Sequence, residues 1–293
     1  MRLRFPCRLA PLFLLAAGAA ASASAADDGW RPLFNGRDLA GWESYLGVPP
    51  PSVGIPGLER GADGKYSKPL GVDNDPLHAF SVVEVDGAPA IRLSGPLQGG
   101  LTTIESFSNY HLKFQFKWGG RRNDQRADQR RNSGFLYHAY GAPGEVKGRW
   151  MNSHQFQIAE EQTGDYIAMG TAAADIHARS LGPKHDIYDE ASSAIVFGNK
   201  EAAGPYCYQP GKDYEKPAGE WNTLEIICLG DTCIQVVNGH VTMRLAASQR
   251  LSGKTYAPLT GGRLELDLEG WDIYFRDLEI RSITEIPAEY AAH

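Results

Sequence analysis

Two stretches of this 293-residue chain collect side chains able to exchange protons and bind hydroxyls: Ser133-Gly134-Phe135-Leu136-Tyr137-His138 and, after a glycine-rich segment, Trp150-Met151-Asn152-Ser153-His154-Gln155-Phe156-Gln157-Ile158-Ala159-Glu160-Glu161. In each, apolar side chains alternate with small or polar ones. Each therefore reads as a strand that packs one face inward while the other presents His138, Gln155 and Gln157 to a groove. A polar groove suits a hydroxyl-rich ligand. His138, Glu160, Glu161 and Asp165 are the titratable candidates nearby, and Asn132, Gln155 and Gln157 are neutral hydrogen-bonding groups. Trp150, beside the glycine-rich loop, offers an aromatic face to the C–H side of a sugar ring.

A second set of acids lies near the C-terminus. Glu265, Asp267 and Glu269 alternate with Leu264, Leu266 and Leu268, which places three carboxylates on one face of a strand. Three readings of this ladder stay open: a solvated outer face, a metal-binding edge for a divalent cation such as calcium, or part of the groove with Asp267 touching substrate. Glu160 and Glu161 cannot together form the carboxylate pair that flanks a glycosidic bond at about 5–9 Å, because neighbours on a strand point to opposite faces. His111, His177, His185 and His240 have no metal-ligand spacing with one another, so a zinc site is not indicated. The chain has no Gly-x-Ser-x-Gly elbow, phosphate loop or dinucleotide fingerprint.

The elements that must hold these groups are strands. Tyr110 to Trp118 alternates over its whole length, and further strand patterns run through Phe80 to Val85, Ala90 to Leu93, Leu101 to Glu105, Trp221 to Cys228, Cys233 to Val237, His240 to Leu245, Arg263 to Leu268 and Asp272 to Ile283. Asn238-Gly239 is a two-residue hairpin signal, since both positions tolerate positive φ. Few amphipathic helices and no βαβ alternation appear, so the pattern predicts an all-β, two-sheet sandwich of jelly-roll type. Residues 47–76, rich in Pro, Gly and Asp, read as a long ordered loop that walls one end, and Trp30 to Trp42 as a segment stapling the N-terminus to the fold. The arginine-rich run 121–131 reads as a sugar clamp, a phosphate site or a solvated loop.

Arg2, Arg4 and Arg8 precede the apolar run Leu9 to Ala21 and then Ala23-Ser24-Ala25, the layout of a secretory signal peptide over residues 1–26, with a single domain over 27–293 after it. That leader predicts a periplasmic or secreted protein with no membrane span. Its removal takes away three of 29 basic residues and none of 35 acidic ones, so the charge becomes 26 − 35 = −9, which argues against nucleic acid as a partner. Oligomeric state is not legible. Cys228 and Cys233 flank Leu229-Gly230-Asp231-Thr232, so they either pair across a hairpin or serve, with Cys207, as small buried apolar residues.

The motifs Phe34-Asn35-Gly36-Arg37-Asp38-Leu39-Ala40-Gly41-Trp42, Ser133 to His138, Phe156-Gln157-Ile158, Gly219-Glu220-Trp221-Asn222-Thr223, Val237-Asn238-Gly239 and Phe275-Arg276-Asp277-Leu278-Glu279-Ile280 together resemble the 3-keto-disaccharide hydrolase family over nearly the whole mature chain. The resemblance implies a concanavalin A-like lectin/glucanase jelly roll that acts on an oligosaccharide or glycoside whose sugar is oxidised at C3, with the oxidation done by a separate enzyme and no firm cofactor requirement. A ketone at C3 acidifies the C2 hydrogen. A base takes that proton, the C1 substituent leaves, and water adds to the unsaturated product. His138 and Glu160 are the first expectations for proton transfer, with Glu161, Asp165 and Asp267 behind them. Glu160 and Gly164-Asp165 match acidic and turn positions of the family. Where the family carries a glutamate, this chain has Gln155, so either another residue is the acid or base or the activity is altered. The alternative is a lectin-like protein that binds carbohydrate without turnover.

Overall fold

The computed structural model describes residues 29–120, 129–198, 206–211 and 214–291. The expected leader lies outside the described residues. Among them the chain is all-β, with one short 3-10 turn at Ala288–Tyr290, and no helix is long and apolar enough to cross a membrane.

The strands form a two-layer jelly-roll sandwich. Tyr110–Trp118 lies at the centre of one layer and behaves as its alternation predicts: Leu112, Phe114, Phe116 and Trp118 are buried, while Lys113, Gln115 and Lys117 are half-exposed. Its neighbours are Ile273–Ser282 on one side and Asn222–Leu229 on the other. Beyond them lie Ala88–Leu93 and Phe80–Val85 at one end, and Thr232–Val237 and His240–Ser252 at the other. The second layer runs Gly71–Val72, Trp42–Leu46, Gly99–Thr103, Gly261–Leu268, Asn132–Tyr140, Asn152–Ala159, Tyr166–Met169, Tyr206–Tyr208 and Asp186–Tyr188. Ala172–Ser180 pairs with members of both layers and ties them together.

The layers meet through their apolar faces. Phe114 of the first stacks on Phe135 of the second with centroids 4.4 Å apart, and Leu264, Leu266, Leu268, Phe156 and Ile158 fill the space around them. Buried aromatics of this size supply most of the packing energy.

The local signals hold in the fold. Asn238 and Gly239 take φ of 49° and 84° between the paired residues Val237 and His240. The N-terminus is stapled by Arg31–Pro32 pairing with Glu279–Ile280 and by the Trp42 indole N–H donating to the Leu33 carbonyl at 3.0 Å. One pair departs from the antiparallel expectation, since Asp186–Tyr188 and Tyr206–Tyr208 run parallel. A parallel pair needs a long crossover, and the strand Ala194–Gly198, docked on Ala172–Ser180, lies within that connection.

Candidate active site

The outward face of the second layer carries the candidate chemistry. Antiparallel register sets two cross-strand rows there, Gly100–Asp267–Gly134–Gln157 and Thr102–Glu265–Leu136–Gln155. Asp267 and Glu265 sit two residues apart on one strand, so they share a face at about 7 Å spacing. The glutamines and Asn132 form a relay: the Gln155 amide donates to Gln157 Oε1 at 2.6 Å, and the Gln157 amide donates to Asn132 Oδ1 at 2.8 Å.

Two glycines make room for this arrangement. A Cβ on Gly100 would stand 2.2 Å from the Glu265 carboxyl, and one on Gly134 would stand 2.6 Å from the Gln155 amide nitrogen. Both long side chains therefore lie across the sheet where any other residue would collide. Gly134→Ala should displace Gln155, break the relay and cost about 1–3 kcal/mol of stability. A urea midpoint measured beside ligand binding checks both effects.

A small apolar cluster, Leu136, Val146, Trp150, Ile167 and Met169, covers part of the same face. Its outer part comes from the glycine-rich loop, which is closed by Val146 and Trp150 exchanging backbone hydrogen bonds at 2.8 and 3.1 Å. Trp150 is thus a buried cover over the carboxyls rather than an open stacking platform. Beneath it Glu265 and Asp267 are buried, and Glu265 Oε1, both Asp267 carboxyl oxygens and the Trp150 indole nitrogen complete no hydrogen bond of ordinary geometry among the described residues.

Burial dominates the acidity of this pair. It drives the Glu265 carboxyl up to about 8, against the opposing pull of the Met151 backbone N–H, Thr102 and Arg263. Asp267 is pushed well above the ordinary carboxylate range by burial first, then by the nearby Glu269 and Glu265 charges, with the Trp150 indole acting the other way. The solvated-outer-face reading of the ladder is therefore corrected for Glu265 and Asp267, because the Trp150 loop excludes water from them. The metal-edge reading fares differently: the ladder does not draw three ligand atoms together, and among the described residues the one such group is His138, Cys228 and Cys233.

His138 does not face this site. Its place two residues after Leu136 predicts the outward face, but the register shifts there against both neighbouring strands, and His138 adopts φ of 51°. That bulge turns its ring into the core, edge-on to Tyr110 and Tyr137 at 5.7 Å from each. It is fully buried between the layers.

Glu160 and Glu161 lie in the turn after Asn152–Ala159, past the end of both rows. Glu160 accepts from the Arg131 backbone N–H and from its guanidinium, each at 2.8 Å, and Glu161 pairs with Arg130 at 2.6 Å. They line a surface groove with Glu215 and Lys216, apart from the two rows. The arginine run thus ends in ion pairs to these glutamates, and residues 121–128 of it lie outside the described residues. Asp165 is buried at the end of the Gln157 row, where its carboxylate accepts the Gln209 N–H at 2.8 Å.

Sequence reasoning left out Tyr206. Its ring stacks on Tyr208 with centroids 6.1 Å apart, remains 39% exposed, and lies near enough to feel the charges of Glu269, Asp165 and Asp267. The alternation of Tyr206-Cys207-Tyr208 was the available signal.

Residues 29–281 match the model of the 3-keto-alpha-glucoside-1,2-lyase-like domain. The chain belongs to this family. Family membership places it among carbohydrate-active proteins. Among solved structures, the lyase-like chain is similar to two proteins of Parabacteroides distasonis described as candidate glycosyl hydrolases. One is 17% identical over 87% of this chain and 99% of its own, with a TM-score of 0.45. The other is 20% identical over 87% and 94%, with a TM-score of 0.46. A carbohydrate-binding module of Bacillus subtilis is 8% identical over 69% of this chain and 92% of its own, with a TM-score of 0.39. No curated protein matches the chain. At the position of Gln155, where the resemblance places a glutamate, this lyase-like chain spends its side-chain amide on Gln157.

Proposed function

We propose that this protein is an exported enzyme that cleaves the glycosidic bond of sugars bearing a ketone at C3. The observation that carries the reading is the pair of buried carboxyls, Glu265 and Asp267, with oxygens that complete no ordinary hydrogen bond, on a sheet face that also carries the amides of Gln155 and Gln157. Buried polar atoms without partners are rare in folded proteins and call for an explanation, and a catalytic role is one that fits carboxyls.

Burial raises both carboxyls, and the Glu265 charge raises Asp267 further, so the two give up their protons one at a time, and the form that has lost one holds an acid beside a base. The carboxylate takes the C2 proton, and the electron pair passes into the C2–C3 bond and onto the ketone oxygen as an enolate. Collapse of the enolate forms a C1–C2 double bond and breaks the bond from C1 to the leaving oxygen, which receives a proton from the carboxylic acid. Water then adds at C1 and a proton at C2, completing net hydrolysis. The amides of Gln155 and Gln157, held by Asn132, are the neutral donors for sugar oxygens, and Tyr206 offers an exposed ring beside them.

The test is aglycone release from a 3-keto-glucoside and from the same glucoside unoxidised. Release from the first alone is expected. A second reading, binding without turnover, is favoured by Gln155 standing where the family has a proton-exchanging glutamate. Saturable binding of the unoxidised glucoside with no product from either compound would establish it.

A further inference from the structure

The bulge that removes His138 from the sugar-facing surface delivers it to a second cluster. Cys228 and Cys233 face each other directly across the hairpin on the inner side of the first layer, with Sγ atoms 3.0 Å apart. One ligand atom from each of His138, Cys228 and Cys233 lies within 4.8 Å of the others, and all three residues are completely buried. Neither ring nitrogen of His138 nor the Tyr110 hydroxyl completes a hydrogen bond of ordinary geometry among the described residues, and both side chains lie against the Cys228 thiol.

A non-glycine residue held at positive φ is uncommon and carries strain, and a buried polar group without a partner costs about 1–3 kcal/mol. Here the strain aims an imidazole at two sulfurs. We propose that His138, Cys228 and Cys233, with the Tyr110 hydroxyl at the fourth position, form a buried site for a thiophilic d10 cation, Zn2+ or Cu+.

The donor set selects that class, because thiolate and imidazole ligands favour zinc and cuprous ions over the hard cations that carboxylates bind. Two sulfurs about 2.3 Å from one tetrahedral ion stand roughly 3.7 Å apart, so this pair opens by less than about 1 Å. Closing instead to a disulfide, near 2.05 Å, requires a comparable shift the other way and leaves His138 and Tyr110 without a hydrogen bond of ordinary geometry. The ion accounts for all four groups. Each thiol that becomes a ligand gives up its proton. The proposal is independent of the sugar chemistry, since the cluster lies on the core side of the sheet whose other side carries Glu265 and Asp267.

The test uses the full chain, reduced and freed of metal, titrated separately with Zn2+, with Cu+ under anaerobic conditions, and with Co2+ as a spectroscopic stand-in for zinc. The expected result is uptake of one ion per chain, with a sulfur-to-cobalt charge-transfer band in the near ultraviolet that Zn2+ abolishes. Uptake of Zn2+ or of Cu+ identifies which of the two ions the site prefers. Cys228→Ser and Cys233→Ser should each lose uptake, whereas Cys207→Ser should retain it. The wild-type titrations decide even where a variant fails to fold. Reduced, folded wild-type protein that takes up none of the three ions overturns the proposal. So does a native mass showing the Cys228–Cys233 disulfide formed quantitatively and unreduced while the protein remains folded in reductant with metal present.

Discussion

Asp267→Asn is expected to lower turnover of a 3-keto-glucoside by about 10²–10⁴-fold, the range over which a positioned acid or base acts. The substitution keeps the size of the side chain and removes its exchangeable proton. Asp267 stands in the row with Gly100, Gly134 and Gln157, buried and with neither oxygen completing an ordinary hydrogen bond, so the amide fits without displacing neighbours. The loss should fall on kcat, because the proposed function gives binding to the amide relay and Tyr206, and a group that acts only in the transition state leaves KM little changed. Glu265→Gln should act in the same direction. The informative comparison is Glu160→Gln, whose carboxylate is tied to Arg131. If that variant loses turnover while Asp267→Asn retains it, proton transfer belongs to the strand-end groove instead.

The parts of this molecule legible in its sequence are those fixed within a few residues. Alternation in Tyr110–Trp118 specifies which face packs inward, because side chains on a strand repeat every two residues, and Asn238-Gly239 specifies its hairpin through its own backbone preferences. The same periodicity correctly places Gln155, Gln157 and Asp267 on one face once the strands are paired. His138 is lost to that reasoning because one extra residue in a strand reverses the facing of every later side chain, and nothing in Tyr137-His138-Ala139 announces the bulge.

Glu265 and Asp267 fail for a different reason. Alternating Leu and acid reads the same whether the acidic face meets water or a covering loop, and here the cover is Trp150, more than a hundred residues earlier in the chain. The metal-type cluster is hidden likewise. Spacing between histidines says nothing of a histidine that meets two cysteines ninety or more residues away across the sandwich. In each case the decisive contact is long-range, so chemistry and burial are set by the fold rather than by the strand that bears the residue.

That burial has a thermodynamic signature apart from activity. Glu265 holds its proton in the folded protein up to about 8, whereas in the unfolded chain it ionises near its ordinary 4.5. Below 4.5 both states are protonated and the folded protein has its full advantage at this residue. Between 4.5 and about 8 the unfolded chain releases the proton and the native state does not, so stability falls as pH rises; above that range both are ionised and the slope from this residue vanishes. The full excursion corresponds to roughly 5 kcal/mol, and Asp267, raised in the same direction, adds to it with the same sign. Chemical denaturation from pH 5 to pH 9 should therefore show a steady loss of stability in the wild type. Glu265→Gln, neutral throughout, should match it near pH 5 and exceed it by several kcal/mol near pH 9. Parallel profiles for the two proteins would mean that the carboxyl ionises in the native state as it does in water, and the acid–base role assigned to the pair would lose its basis.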